Sequence, residues 1–435
     1  MAYESGPGVT TESGNKGQRP NSGIGSTGPS QECSESTIER YVRLTKDIPA
    51  PEIFRLWTAI HAVGACAERR IWSQFKGGRL YPNLYIFLVG PPGTGKTQSL
   101  NPMANIIRKS QAVTLAPNDI TKQGLLDCLS EAAKGVLMED GKPFDYHFLA
   151  IHISELANFM SKYDIELAGL LTDLYDCGPF NDEKKRSGAG KMIPFPGLSM
   201  IVGTATKNLG ATISEEMWGS GFMARVLMVF SSHKVLPDDI FEAPNKDDAL
   251  EESITNSLRR IGEFRGPMIW TGEARRILND FMKSAAQGGP LHVKLENYAT
   301  RRWLQFAKLC MVAALSHERM GILEEDCHTA LSWLQRAEAD MVEIFKDMTN
   351  HTDGAIYEES RMHFFGTYMI TRKPVAHSEI VQWLAKRVSV HSVPRMIDIL
   401  LSADYFKRVA GTSGDDALYI PQPPHGDKGG PRGVI

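Results

Sequence analysis

Cysteine is scarce and scattered in this 435-residue chain, whose six thiols (Cys33, Cys66, Cys128, Cys177, Cys310 and Cys327) include no C-x-x-C pair. Neither a zinc site nor a disulfide framework is indicated, and reduced thiols are the default. Net charge is nearly absent too. With 48 basic and 51 acidic residues the formal charge is -3, which excludes a globally basic nucleic-acid binder and leaves such contacts to local patches. No apolar run approaches the length that spans a bilayer, and the first residues lack the apolar core of a secretory signal. The expectation is a cytoplasmic protein without a membrane partner. Large apolar residues are almost missing from residues 1–35, which are rich in Gly, Ser, Thr, Pro and Asn and cannot offset the entropy of ordering. That tail is expected to be disordered, as is the Pro- and Gly-rich stretch 421–435.

What is present supports ordinary packed cores: 42% of residues are hydrophobic, and the length suits two or three domains. One stretch stands out, Leu84 to Thr97, where an apolar, β-favouring run breaks into a glycine-rich turn and then a helix-compatible segment. Gly90, Gly95, Lys96 and Thr97 match the phosphate-loop pattern G-x-x-x-x-G-K-[ST] in full. In such a loop Gly90, Pro91, Pro92, Gly93, Thr94 and Gly95 curl around the β-phosphate, and Lys96 reaches the β and γ oxygens. Thr97 offers a hydroxyl to Mg²⁺, and Gln98 continues the helix whose positive end faces the anion. The cofactors implied are ATP and Mg²⁺. A plain glycine-rich turn before a core helix leaves unexplained why a lysine sits where the loop closes.

Around this stretch the hydrophobic periodicity divides the chain. Residues 36–80 read as a helical segment, with Ala67 to Phe75 as a candidate transition into an edge strand. Residues 81–235 alternate strand and helix. Strands are expected near Ala112–Leu115, over His147–Ile153, Leu198–Thr204 and Arg225–Phe230, with helices over Thr121–Ala133 and Glu166–Tyr175 between them. That alternation predicts an α/β core with a parallel sheet and helices on both faces. Lys134 to Asp145 reads as a possible hairpin. Residues 236–350 show helical periodicity alone, predicting an all-α domain. Residues 351–420 contain two short helices, from His377 and from His391, then strands at Tyr405–Val409 and Ala417–Ile420, the order of a winged helix.

Triphosphate hydrolysis needs a carboxylate to position water, and Glu155 at the carboxyl end of the strand His147–Ile153 is the candidate. Ser154 stands where an aspartate is usual and offers Mg²⁺ a hydroxyl without charge. The plain alternative makes Glu155 an N-terminal acid of the next helix.

The phosphate loop, Ile153-Ser154-Glu155, the strand Met200 to Asn208 and the segment Gly221 to Phe230 together resemble an AAA+ ATPase. Within that class they are most similar to the minichromosome-maintenance helicases and related ATPases of phages and integrated elements. The resemblance covers roughly residues 50–350. It implies that Thr206, with Asn208 as second choice, is the polar sensor of the γ-phosphate. Arg225 matches the arginine finger, which reaches into a neighbouring subunit's site; its plain alternative is an ion pair. Ala299 to Leu315 resembles the lid helix with a second sensor, Arg301 first and Arg302 as the alternative. Residues 178–195, placed before the sensor strand, match a channel hairpin whose Lys184, Lys185, Arg186 and Lys191 would contact DNA phosphates; a solvated basic turn is the alternative. Arg395, Lys407 and Arg408 could touch DNA from the winged-helix module, although protein contact fits its apolar helix as well.

The function expected from these readings is a ring-forming, ATP-dependent DNA translocase, a replicative helicase of a phage or mobile element. The implied partners are single-stranded or forked DNA, other copies of the chain in a hexameric homo-oligomer, and replication proteins. An AAA+ remodeller or helicase loader acting on protein is the alternative, and a nucleotide-gated scaffold without motor activity is a third reading.

Overall fold

The computed structural model describes residues 35–118, 120–137, 141–162, 164–178, 180–181, 192–236, 247–284, 292–349, 353–386, 393–409, 414 and 417–422. The tails expected to be disordered lie almost wholly outside these residues. The first described helix, α1 (Thr37–Leu44), is fixed by a capping box in which Ser36 accepts from the Glu39 amide and Glu39 accepts from the Ser36 amide. α2 (Glu52–Ala67) follows, and every side chain from Phe54 to Ala67 is buried. This is a core helix, buried on all sides and mostly apolar.

β1 (Ile71–Phe75) and β2 (Gly78–Leu80) form a hairpin. The expected edge strand therefore exists, but it joins a separate small sheet. The core proper begins with β3 (Tyr85–Val89), α3 (Lys96–Ser110), α4 (Lys122–Glu131), β4 (Ala133–Leu137) and β5 (Pro143–Ile153). It continues through α5 (Leu156–Phe159), α6 (Ile165–Asp176), the short pair β6 (Phe180–Asn181) and β7 (Met192–Ile193), and β8 (Pro196–Thr204). α7 (Thr206–Thr212), α8 (Glu215–Gly219) and β9 (Val226–Phe230) complete it.

Five of these strands form one sheet in the order β4-β5-β8-β3-β9. β5, β8, β3 and β9 are mutually parallel, with Val89 opposite both Thr204 and Phe230. β3, β8 and β9 are buried at every residue, which is why they read as continuous apolar runs without alternation. α2, α3 and α6 pack on this sheet. The possible hairpin over Lys134–Asp145 is present, because β4 runs antiparallel to the first half of β5. The strand expected near Ala112–Leu115 shrinks to a single bridge between Leu115 and Ala150. Two hydrogen bonds hold it, after which Pro117, lacking an N–H, stops the pairing. The residues Lys184, Lys185, Arg186 and Lys191 lie outside the described residues, although the paired ends of their segment, Phe180 opposite Ile193, do not.

α9 (Asp248–Ile261), β10 (Gly266–Pro267), β11 (Ile269–Trp270), α10 (Gly272–Ser284), α11 (Glu296–Ser316), β12 (Gly321–Ile322), α12 (Glu324–Ala339) and α13 (Glu343–Thr349) make the mainly helical region. It is not purely α: β10 pairs with β1, and β11 with β12. The last helix expected there is broken by a turn after Ala339. Beyond it come α14 (Asp353–Thr371), β13 (Val375–Ala376), α15 (His377–Ala385), α16 (Val393–Ser402), β14 (Phe406–Arg408) and β15 (Leu418–Pro421). Their antiparallel sheet has the order β13-β15-β14, and they enclose a core of their own that includes Phe364, Leu384, Met396, Phe406 and Tyr419. Among the described residues no helix is long and apolar enough to cross a membrane.

Inside the main core, Nε2 of His152 on β5 lies 3.2 Å from Nδ1 of His61 on α2. Burial holds both imidazoles neutral. It lowers His152 to about 3, helped by Arg108, and lowers His61 well below its ordinary value, helped by His152. Below pH 6.5 the unfolded chain takes up protons that the folded chain refuses, so stability is lost as pH falls from about 6.5 toward 3. Urea unfolding should show a loss approaching about 1.4 kcal/mol per pH unit for each such histidine. His152→Gln should make that slope shallower, and an unchanged slope would refute the assignment.

Candidate functional site

β3 ends at Val89, where the chain leaves the sheet between two neighbours. The Gly90 N–H donates to the Thr204 carbonyl at 3.2 Å and the Ser231 N–H to the Val89 carbonyl at 3.0 Å. Gly90 is fixed by contact, since a Cβ there would stand 2.2 Å from the Ser231 carbonyl oxygen. Gly95 is doubly constrained, by φ of 77° and by the Pro49 oxygen at 2.3 Å from where its Cβ would be. The loop thus turns sharply into α3, with Thr97 and Gln98 exposed on the first turn and Pro92 and Gly93 exposed at its crest.

Lys96 closes this loop. Its Nζ donates to the carbonyls of Gly90 and Pro91 at 2.8 and 2.9 Å and to Thr94 Oγ1 at 3.2 Å, while Thr94 itself donates to the Pro91 carbonyl. Burial lowers the pKa of this ammonium, and the nearby Glu155 carboxylate opposes that fall. A cation held by uncharged oxygens at the start of a helix can trade those oxygens for an anion's.

Glu155 follows β5 in extended conformation and precedes α5, as its plain alternative anticipated, but its carboxylate also accepts from Thr204 Oγ1 at 3.2 Å. The strand carrying Glu155 is not the neighbour of β3; β8 lies between. Gly203 on β8 makes the approach possible. A Cβ at Gly203 would stand 2.6 Å from the Ser154 carbonyl oxygen and 3.4 Å from Lys96 Cβ. Lys96, Ser154, Glu155 and Thr204 therefore converge at the carboxyl ends of three parallel strands. Thr204 was not among the sequence candidates. Its signal is its place as the last residue of β8, level with Val89, whereas Thr206 lies buried at the start of α7 and Asn208 half-buried within it.

The arginines lie elsewhere. Arg225 ends the 3-10 turn Met223–Arg225 and immediately precedes Val226, which pairs with Tyr85 at the amino end of β3. From there to Val89 the strand rises about 13 Å, so Arg225 cannot reach the loop of its own chain. It is not free: Nε and Nη2 bind the two oxygens of Asp176, and Nη1 donates to the Gly221 carbonyl at 2.6 Å. Arg301 approaches the same carboxylate, Nη1 to Oδ1 at 3.8 Å. Arg302 does neither. It forms a buried two-point pair with Glu338, both distances 2.6 Å, joined by the Tyr298 hydroxyl, and so ties α11 to α12. That pairing occupies Nε and Nη2 of the Arg302 guanidinium.

α11 presents Arg301, Gln305 and Lys308 at helical spacing. Gln305 donates to the Arg225 carbonyl at 2.8 Å and accepts from the Tyr175 hydroxyl. Lys308 donates to the main-chain and side-chain oxygens of Asn83, both at 2.8 Å, and stands 3.6 Å over the Tyr175 ring; burial brings its pKa down to about 7.

A cavity of about 320 Å³ opens beside the loop, lined by Phe230, Ser231, Ser232, His233, Asp340 and Glu343. It lies on the β9 side, opposite Glu155 and Thr204. A larger one, about 450 Å³, is bounded by α1, α2, α11 and α12 and shares no lining residue with the loop. Among the described residues no cluster of three or more His, Cys, Asp or Glu side chains could hold a metal. The exposed hydroxyl residues Thr97 and Ser154, with the Glu155 carboxylate, are oxygen donors of the kind that fits a Mg²⁺ keeping most of its ligands as water and phosphate. No protein-family model matches this chain, and no curated protein matches it either.

Gly203→Ala tests the closeness of the three strands. The added methyl meets main-chain oxygen, so unfolding in urea should show a loss of about 1–3 kcal/mol. Stability equal to that of the unaltered chain would mean that β5 and β8 do not meet as described.

Proposed function

We propose that this chain is an ATP-dependent DNA translocase of the AAA+ type, working as a ring of identical subunits in the manner of a replicative helicase of a phage or mobile element. One observation carries the reading. Lys96, Glu155 and Thr204 meet at one end of the parallel strands, while Arg225 and Arg301 meet at Asp176 at the other end. A triphosphate on the loop would therefore meet these arginines only from another copy of the chain. The sheet order, with β8 between the loop strand and the glutamate strand, supports an AAA+ core over 81–235. The helices of 236–350 supply its lid. Three helices with a three-stranded antiparallel sheet support a winged helix over 351–420.

Each residue has a physical task in this reading. Backbone amides of the loop and the start of α3 bind the phosphates, and Lys96 exchanges its carbonyl partners for phosphate oxygens. Thr97 and Ser154 would hold Mg²⁺ through hydroxyl and water, and the ion would supply positive charge beside the phosphates. Glu155 orients the attacking water, and Thr204 keeps its carboxylate turned toward it. The nucleoside end faces the cavity at Ser231 and His233. Arg225 supplies positive charge to the neighbour's transition state.

DNA contact rests on Lys184, Lys185, Arg186 and Lys191, which lie outside the described residues, and on the exposed Arg395, Lys407 and Arg408. The apolar side of α16 does not argue against it, because Met396, Ile397 and Leu400 are buried in the module's own core. One observation favours the protein-remodelling alternative: α14 exposes Met362, Met369 and Ile370, an apolar surface of the kind that receives proteins.

Forked-DNA unwinding with ATP, run beside particle imaging, tests the main reading; unwinding by rings is expected, and ATP hydrolysis without unwinding by a protein that forms rings would favour the remodeller. Single-stranded DNA should accelerate hydrolysis. Replacing Lys184, Lys185 and Arg186 together by alanine should make the rate insensitive to DNA and reduce the salt slope of single-strand binding by roughly 2. Retained stimulation would remove these residues from the DNA path.

Lys96→Ala should weaken ATP binding by more than about tenfold, the loss of a charge-assisted contact of about 1.5–3 kcal/mol. Titration of a fluorescent ATP analogue reads this, and undiminished affinity would remove the loop from the nucleotide site.

A further inference from the structure

We infer that Asp176 is a positioning residue that parks Arg225 and Arg301 inside their own subunit, and that ATP bound by the adjoining subunit must displace this carboxylate before the arginines can act. The inference rests on the proposed reading of a nucleotide site completed by a second copy. It starts from an asymmetry of burial. The Arg225 side chain is 5% exposed, whereas the Asp176 side chain that pairs with it is 46% exposed. The cation is sheltered and its counter-ion stands at the surface, so an incoming anion meets Asp176 first.

The charges around this carboxylate do not balance. Arg225 grips both of its oxygens and Arg301 adds a second cation at 3.8 Å, so one carboxylate serves two guanidiniums and a positive charge is left over. Such a cluster attracts a phosphate whose several oxygens satisfy both arginines. Gly221 allows the parked position: a Cβ there would stand 2.8 Å from Arg225 Nη1. The main chain of Arg225 is fixed separately, because Gln305 on α11 donates to its carbonyl. Exchange of partners therefore moves the guanidinium and the Asp176 side chain while leaving the start of β9 in place. α11 carries both Arg301 and Gln305, so the lid helix and Arg225 respond to the same event. The carboxylate competes with the phosphate for the arginines, and a weaker competitor should lower the ATP concentration at which the composite site works.

The test uses mixtures of full-length chains. Lys96→Ala subunits lack a working loop but still offer arginines; Arg225→Ala subunits keep their loop but lack the finger. Mixing them should restore ATP hydrolysis at the mixed interfaces. Asp176→Asn is then added to one partner at a time. Placed in the Lys96→Ala subunit it should lower the half-saturating ATP concentration by about fivefold, and placed in the Arg225→Ala subunit it should change nothing. If mixing restores no hydrolysis, the two-copy site itself fails. If mixing restores hydrolysis but Asp176→Asn has no effect in the Lys96→Ala subunit, or the same effect in either partner, the parking role is overturned while the two-copy site stands. Should Asp176→Asn fail to fold, Asp176→Glu takes its place: it retains the charge, displaces the carboxylate by one methylene, and should produce a smaller shift in the same direction and from the same partner only.

Discussion

Parallel pairing of β3, β5, β8 and β9 is the constraint from which the rest follows. Strands that run the same way send all their carboxyl ends to one edge and all their amino ends to the other. The loop after β3, the turn after β5 and the end of β8 must then meet, and with them Lys96, Ser154, Glu155 and Thr204. The same rule sends Arg225, which precedes β9, to the far edge beside Asn83 and Tyr175. Neither grouping needs residues that are close in sequence. The separation of the two groups is set by strand length, which side-chain motion cannot span.

How much of this was legible in the sequence depended on the range of the interaction that decides it. The loop from Gly90 to Thr97 was legible because its glycines, lysine and threonine act within one turn of chain. Glu155 was legible as the polar end of a long apolar run. Thr204 was not, because it is distinguished from Thr206 only by where β8 stops, and element ends follow from cross-strand register. Arg302 and Arg301 are neighbours in sequence but face different partners, Glu338 and Asp176, 36 and 125 positions away. No local pattern separates them. α14 and β13 escaped notice for a simpler reason: the helix exposes Met362, Met369 and Ile370, which blurs its apolar stripe, and the strand has two residues.

Burial of charge follows one logic across the molecule. Lys96 and Lys308 are both buried and both donate to oxygens without a carboxylate in direct contact. In both, burial lowers the pKa of the ammonium, to about 7 at Lys308. Arg302 has a carboxylate buried with it and serves as a fixed tie between α11 and α12. Arg225 stands between these cases, a sheltered cation with a half-open partner. The difference between a structural and an exchangeable ion pair is thus written in the exposure of the anion.

The outer edge of β5 is covered from two directions, by β4 running against it over its first half and by Leu115 running with it farther along. Pro117 halts the second piece before it lengthens. Among the described residues, no long, straight, unpaired ladder of amides and carbonyls remains on that edge of β5 to template a foreign strand. Along β5 the block to a foreign strand is thus made of short backbone segments, one reversed and one stopped by a proline, and needs no charged side chain.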